Sequence, residues 1–114
     1  MSGITIYHNP RCSTSRRTLE RLEQTGQPIE VIEYLQQPLT VDQLMQVLQQ
    51  ANLSAKDLIR SKESLYQELS LDTADDTALV QAMADHPILM NRPVVVTPKG
   101  ARLCRPVELV EEIL

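Results

Sequence analysis

Two short apolar stretches flank an amphipathic one near the start of the chain, and that order constrains the fold more than any other feature. Residues 4–7, ITIY, are β-branched or aromatic and are cut off by Asn9-Pro10, which predicts a strand over residues 3–8. Beyond Cys12 the pattern changes. Ser15, Thr18, Leu19 and Leu22 recur at helical spacing, with Arg16, Arg17, Glu20, Arg21 and Glu23 on the other side, until Gly26-Gln27-Pro28 stops the helix. Residues 29–35, IEVIEYL, then alternate as a second strand, parallel to the first. Strand, helix, strand is a βαβ unit.

The loop inside this unit delivers Cys12 to the N-terminus of the helix. Backbone N–H groups there lack intrahelical partners, and the helix dipole adds partial positive charge. A thiolate is favoured at such a place, and the same amides suit an oxyanion brought to the sulfur. Alternatively, a lone cysteine is commonly a small buried hydrophobe. The polar neighbours Arg11, Ser13, Thr14 and Ser15 favour the reactive thiol.

Further along, Thr40 with Gln43 reads as a capping box for a second helix, whose apolar side is Val41, Leu44, Met45, Val47 and Leu48. Residues 52–76 read as an irregular helical insert, residues 76–85 as a helix closed by His86-Pro87. Val94, Val95 and Val96 predict a buried strand, Pro98-Lys99-Gly100 a turn, residues 101–104 a short return strand, and PVELVEEIL a final helix with Pro106 in its first turn. The fold class expected is α/β: a thioredoxin-like fold with a helical insertion between the βαβ unit and the C-terminal β-hairpin and helix. In that plan the proline opening the third strand is commonly cis, which singles out Pro93.

At 114 residues and 42% hydrophobic content, a single domain spanning residues 1–114 is expected. The core must be aliphatic, since the chain has no Phe or Trp and only three Tyr, and base stacking on nucleic acid is thereby disfavoured. A net charge of −4 argues against both nucleic acid and membrane surfaces as partners. Arg11, Arg16, Arg17 and Arg21 near the start, and Arg92, Lys99, Arg102 and Arg105 near the end, form two basic clusters suited to a small anion. Two cysteines, Cys12 and Cys104, make no disulfide framework, and no apolar run suggests a signal peptide or membrane span, so a cytoplasmic location with reduced thiols is expected.

The motif at the reactive position is Cys12-Ser13-Thr14-Ser15 rather than Cys-x-x-Cys. An adduct on Cys12 must therefore be released by Cys104, an external thiol or water. A phosphatase loop is disfavoured, because Thr18 stands where its arginine is expected and Arg17 falls one position short. His8, Cys12, His86 and Cys104 lack the paired short spacings of zinc sites, so no metal is expected.

The string YHNPRCSTSRRTLERL, with HPILMNRPVVVTP and RLCRPVELV further on, resembles the glutaredoxin-linked arsenate reductase family, especially its chromosomally encoded branch. The likeness runs through essentially the whole chain. It implies that Cys12 is the nucleophile and that Arg60, Arg92 and Arg105 bind the anion with it, where each arginine alone would read as a solvated surface charge. Guanidinium suits the task, being always charged and forked toward oxyanions. His8 matches the family as well, and in protonated form it would help hold the thiolate. Ser15 stands either to donate to the sulfur or to face the core, and Asn9 either orders the loop or merely ends the strand. Cys104 is expected to be structural.

The resemblance further implies reduction of arsenate, or a similar oxyanion, to arsenite through a covalent Cys12 adduct, with glutathione as co-substrate, glutaredoxin as partner and no bound cofactor. Ser13 stands where plasmid-borne members usually have Gly, a feature of the chromosomal branch. Two other readings share the fold. One is a redox-responsive regulator of RNA polymerase like the Spx proteins, whose usual Cys-x-x-Cys is missing here, and the other a general glutathione-dependent thiol oxidoreductase.

Overall fold

The computed structural model describes residues 3–114. Contacts gather these residues into two compact units, residues 3–37 with 92–114, and residues 38–91.

The first unit is a four-stranded sheet covered by two helical segments. β1 (Ile4–His8) pairs in parallel with β2 (Ile29–Glu33), from Ile4 opposite Ile29 to His8 opposite Glu33. On its other side β1 lies antiparallel to β3 (Val94–Thr97), which continues as a hairpin into β4 (Gly100–Leu103). The spatial order is β2-β1-β3-β4. A parallel neighbour requires a crossover, and α1 (Ser13–Glu23) supplies it, burying Ser15, Thr18 and Leu22. After α1 the chain turns through Gly26, whose φ of 73° lies in the left-handed region that costs glycine nothing.

The core of this unit is aliphatic: Ile4, Ile6, Leu22, Val95, Val110 and Ile113, with Cys104 among them. Alternation along β1 sends Ile4, Ile6 and His8 to the buried side, so the strand that builds the core also carries His8 inward.

Four local features differ from the sequence reading. β2 ends at Glu33, because the chain turns there and the Gln36 and Gln37 amides donate to the Glu33 carbonyl, which tucks Tyr34 inside. Val96 is only half-buried beside fully buried Val94 and Val95, and β4 starts and ends one residue earlier than expected. The C-terminal helix is a 3-10 helix over Val107–Ile113, with Pro106 before it in extended geometry rather than in its first turn. Its inward residues, Val110 and Ile113, are three apart, and three residues per turn put them in line. It is anchored by the Thr97 hydroxyl, which donates to the Ile113 carbonyl at 2.7 Å.

In the second unit α2 (Val41–Ala51) begins with the expected capping box: the Gln43 amide donates to Thr40 Oγ1 and the Thr40 amide to Gln43 Oε1. Asn52 in the left-handed region ends it. The irregular insert resolves into α3 (Ala55–Leu58), capped reciprocally by Ser54 and Asp57, then α4 (Ser64–Glu68) and a 3-10 turn at Leu71–Thr73. α5 (Asp76–Asp85) starts on an Asp75 cap and packs against α2 and α3. An antiparallel bridge between Ile59 and Met90 draws the ends of the insert together, with the Arg60 amide donating to the Leu89 carbonyl and the Asn91 amide to that of Leu58.

Candidate active site

Cys12 sits immediately before α1 in extended conformation, and its carbonyl accepts the first helical bond, from the Arg16 amide. The loop before it is held from within. Asn9 Oδ1 accepts from the Arg11 amide, the Asn9 carbonyl accepts from the Cys12 amide, and Arg16 Nη1 donates to the Pro10 carbonyl at 2.9 Å. Asn9 thus orders the loop as well as ending the strand.

As a residue Cys12 is only 8% exposed. Burial by itself would push the thiol pKa up. The Ser15 amide, the Arg92 guanidinium and the Thr14 amide outweigh it and hold Cys12 below its ordinary value. Cys12 closes no side-chain capping bond of standard geometry, so the amides act as a field at the helix start. Arg105 approaches as well: Nη1 lies 3.7 Å from Cys12 Sγ and donates to the Arg92 carbonyl at 3.2 Å. Arg92 and Arg105, far apart in sequence, meet here because β3 and β4 are hairpin partners and each arginine flanks one of those strands. Both precede prolines in cis peptide bonds, Pro93 as the thioredoxin-like plan implies and Pro106 in addition.

His8 and Ser15 are buried and bond to each other. The Asn9 amide donates to Ser15 Oγ at 3.0 Å, and Ser15 Oγ and His8 Nδ1 share a hydrogen bond at 2.6 Å. Burial lowers the His8 pKa, the Glu33 carboxylate opposes this, and Arg16 adds to it. Burial thus disfavours the cationic form of His8. Its partner Ser15 is fully buried, and what Ser15 turns toward the sulfur is its amide. No sequence spacing announces this pair, since strand and helix residues seven apart have no fixed relation.

Arg60 belongs to the second unit, where its Nη1 pairs with Glu63 Oε2 at 2.6 Å. Cys104 is the opposite of Cys12. It is fully buried in the core, its Sγ faces the Arg102 carbonyl at 3.6 Å, and burial pushes its pKa up to about 12. No helix among the described residues is long and apolar enough to cross a membrane.

A thioredoxin-like sheet with one acidic cysteine at the start of its first helix, and no second thiol beside it, defines a monothiol class of thioredoxin-fold proteins. Residues 7–113 match the ArsC family, and the chain belongs to that family. It is 49% identical to an arsenate reductase of Escherichia coli K12 over 116 aligned positions, covering 100% of this chain and 82% of that protein. Against the Synechocystis arsenate reductase ArsI2 the identity is 44%, over 97% of this chain and 81% of the other. The structure of an arsenate reductase from Vibrio cholerae superimposes with a TM-score of 0.94 at 46% identity, covering 98% of each chain.

Proposed function

We propose that this protein reduces arsenate to arsenite in the cytoplasm, with glutathione and glutaredoxin, through a covalent adduct on Cys12. The observation that carries the proposal is the Cys12 sulfur, held acidic by the Ser15 and Thr14 amides and Arg92, with the Arg105 guanidinium 3.7 Å away. A nucleophile and a cradle for negative charge thus share one place, which is what attack on an oxyanion requires. The relatives named arsenate reductases support arsenate as that oxyanion.

The Cys12 thiolate attacks arsenic(V). A sulfur–arsenic bond forms, an arsenic–oxygen bond breaks and water leaves, with no change of oxidation state. Arg92 and Arg105 offset the charge on the arsenate oxygens. Arg60 is the third anion-binding arginine of this proposal, and it would exchange its Glu63 partner for the substrate. Glutathione then condenses on the same arsenic, again releasing water.

The electrons move in the next step. The thiolate of glutaredoxin attacks the glutathione sulfur, that sulfur leaves arsenic without the bonding pair, and arsenic(V) becomes arsenic(III) as two sulfurs join in a disulfide. Water releases arsenite and returns Cys12 to the thiol. Position 15 is Ser, so no neighbouring thiol competes with glutathione.

The test is NADPH oxidation coupled through glutathione reductase. Turnover should need arsenate, glutathione and glutaredoxin together, and omission of any one should stop it. Turnover of a small mixed disulfide with none of arsenate would replace this reading with a general thiol oxidoreductase.

A further inference from the structure

α1 and the C-terminal 3-10 helix pack side by side, and one turn along their seam Arg21 forks onto Glu111 with contacts of 2.5 and 2.9 Å. Arg17 lies one helical turn before Arg21, and Glu108 one 3-10 turn before Glu111. The same register would pair them. Instead, among the described residues, neither takes part in an ion pair, and a cavity of about 310 Å3 opens between them. Its walls are Thr14, Arg17, Arg105, Pro106, Val107 and Glu108. Two of these residues flank the reactive sulfur: the Thr14 amide favours its thiolate, and Arg105 Nη1 lies 3.7 Å from it.

We propose that this cavity is the docking subsite for the thiol co-substrate, and that it selects a thiol bearing a zwitterionic α-amino-acid end. The carboxylate docks on Arg17, the ammonium on Glu108, and the thiol end runs past Thr14 and Arg105 toward Cys12. The inference rests on the thiol-dependent reading above. Charge supplies the selectivity: an anion alone would meet Glu108, a cation alone would meet two arginines, and only a ligand carrying both signs satisfies both walls. The volume falls in the range of small-ligand sites, and Pro106 with Val107 gives the floor an apolar stretch for a peptide backbone. Glutathione has this chemistry, with an ammonium and a carboxylate at one end and its thiol in the middle.

Two measurements test it. The first is a 15N NMR titration of the full chain with S-methylglutathione, which keeps both charged ends and has no free thiol. Shifts are expected at Thr14, Val107 and Glu108, with affinity about tenfold weaker in Arg17→Glu and in Glu108→Arg, and partial recovery in the double variant that exchanges the charges. Unchanged affinity in both single variants would overturn the subsite, as would shifts confined to Leu19, Glu20 and Glu23 on the far side of Arg17.

The second is the coupled assay. In both single variants KM for glutathione should rise about tenfold while KM for arsenate stays in place, and a rise in the arsenate KM alone would contradict the assignment. Binding that follows the expected pattern without any arsenate turnover by the wild type would leave the subsite standing and remove the proposed reaction. Turnover with variants indistinguishable from wild type would do the reverse.

Discussion

At Cys12 burial and charge act against each other, and the balance falls to the thiolate because two amides and a guanidinium outweigh the cost of burial. Removing Arg92 should therefore move the pH midpoint of Cys12 alkylation by iodoacetamide upward, with quenched time points read by peptide mass spectrometry. A midpoint unchanged in Arg92→Ala would show that the helix start alone sets the acidity. The Ser15 hydroxyl acts on its neighbours: truncation to Ala strips the Asn9 amide and His8 Nδ1 of their shared partner. Leaving buried polar groups unpaired costs about 1–3 kcal/mol, so the urea midpoint of Ser15→Ala should fall accordingly. Cys12 at a helix start was legible from its place in the chain, whereas Arg92 before Pro93 and Arg105 before Pro106 were singled out only through the family resemblance. The His8–Ser15 bond was not, because it depends on how far strand and helix are rotated about each other, which a linear spacing does not encode.

Among the elements, those with local signals were the legible ones. Thr40 and Gln43 mark the start of α2 through side-chain bonds that need nothing beyond four residues of chain, and Thr40→Ala should lower stability by about 1 kcal/mol in urea unfolding. An unchanged midpoint would mean that packing against α5 alone fixes that terminus. The boundaries that shifted are set by tertiary context. β2 stops early where the chain turns back to bury Tyr34 at an edge of the sheet, and the C-terminal segment takes the 3-10 form because its inward residues recur every three positions. The α-helical and 3-10 patterns of VELVEEI share the same apolar letters, so only the surface it packs against tells them apart.

At the scale of the whole molecule, stability rests on an aliphatic core in the first unit that includes Leu22 and Ile113, and truncating either to Ala should cost about 2–5 kcal/mol. His8 gives that stability a pH dependence. Its folded pKa is lowered, chiefly by burial, while the unfolded chain titrates near 6.5, so between the two values the unfolded state binds more protons. Stability from this group is complete above about 6.5 and is lost as pH falls through the folded pKa. The urea midpoint should therefore decline on acidification from pH 7, less steeply in His8→Gln, and parallel profiles would remove His8 as the cause. The two cysteines divide the chemistry as they divide the structure, one acidic at a helix start and one held neutral in the core. The most direct test of that division is arsenite formed per mole of protein in a single turnover with arsenate, glutathione and glutaredoxin. Wild type and Cys104→Ser should each release arsenite and Cys12→Ser none, whereas full arsenite release by Cys12→Ser would contradict the account.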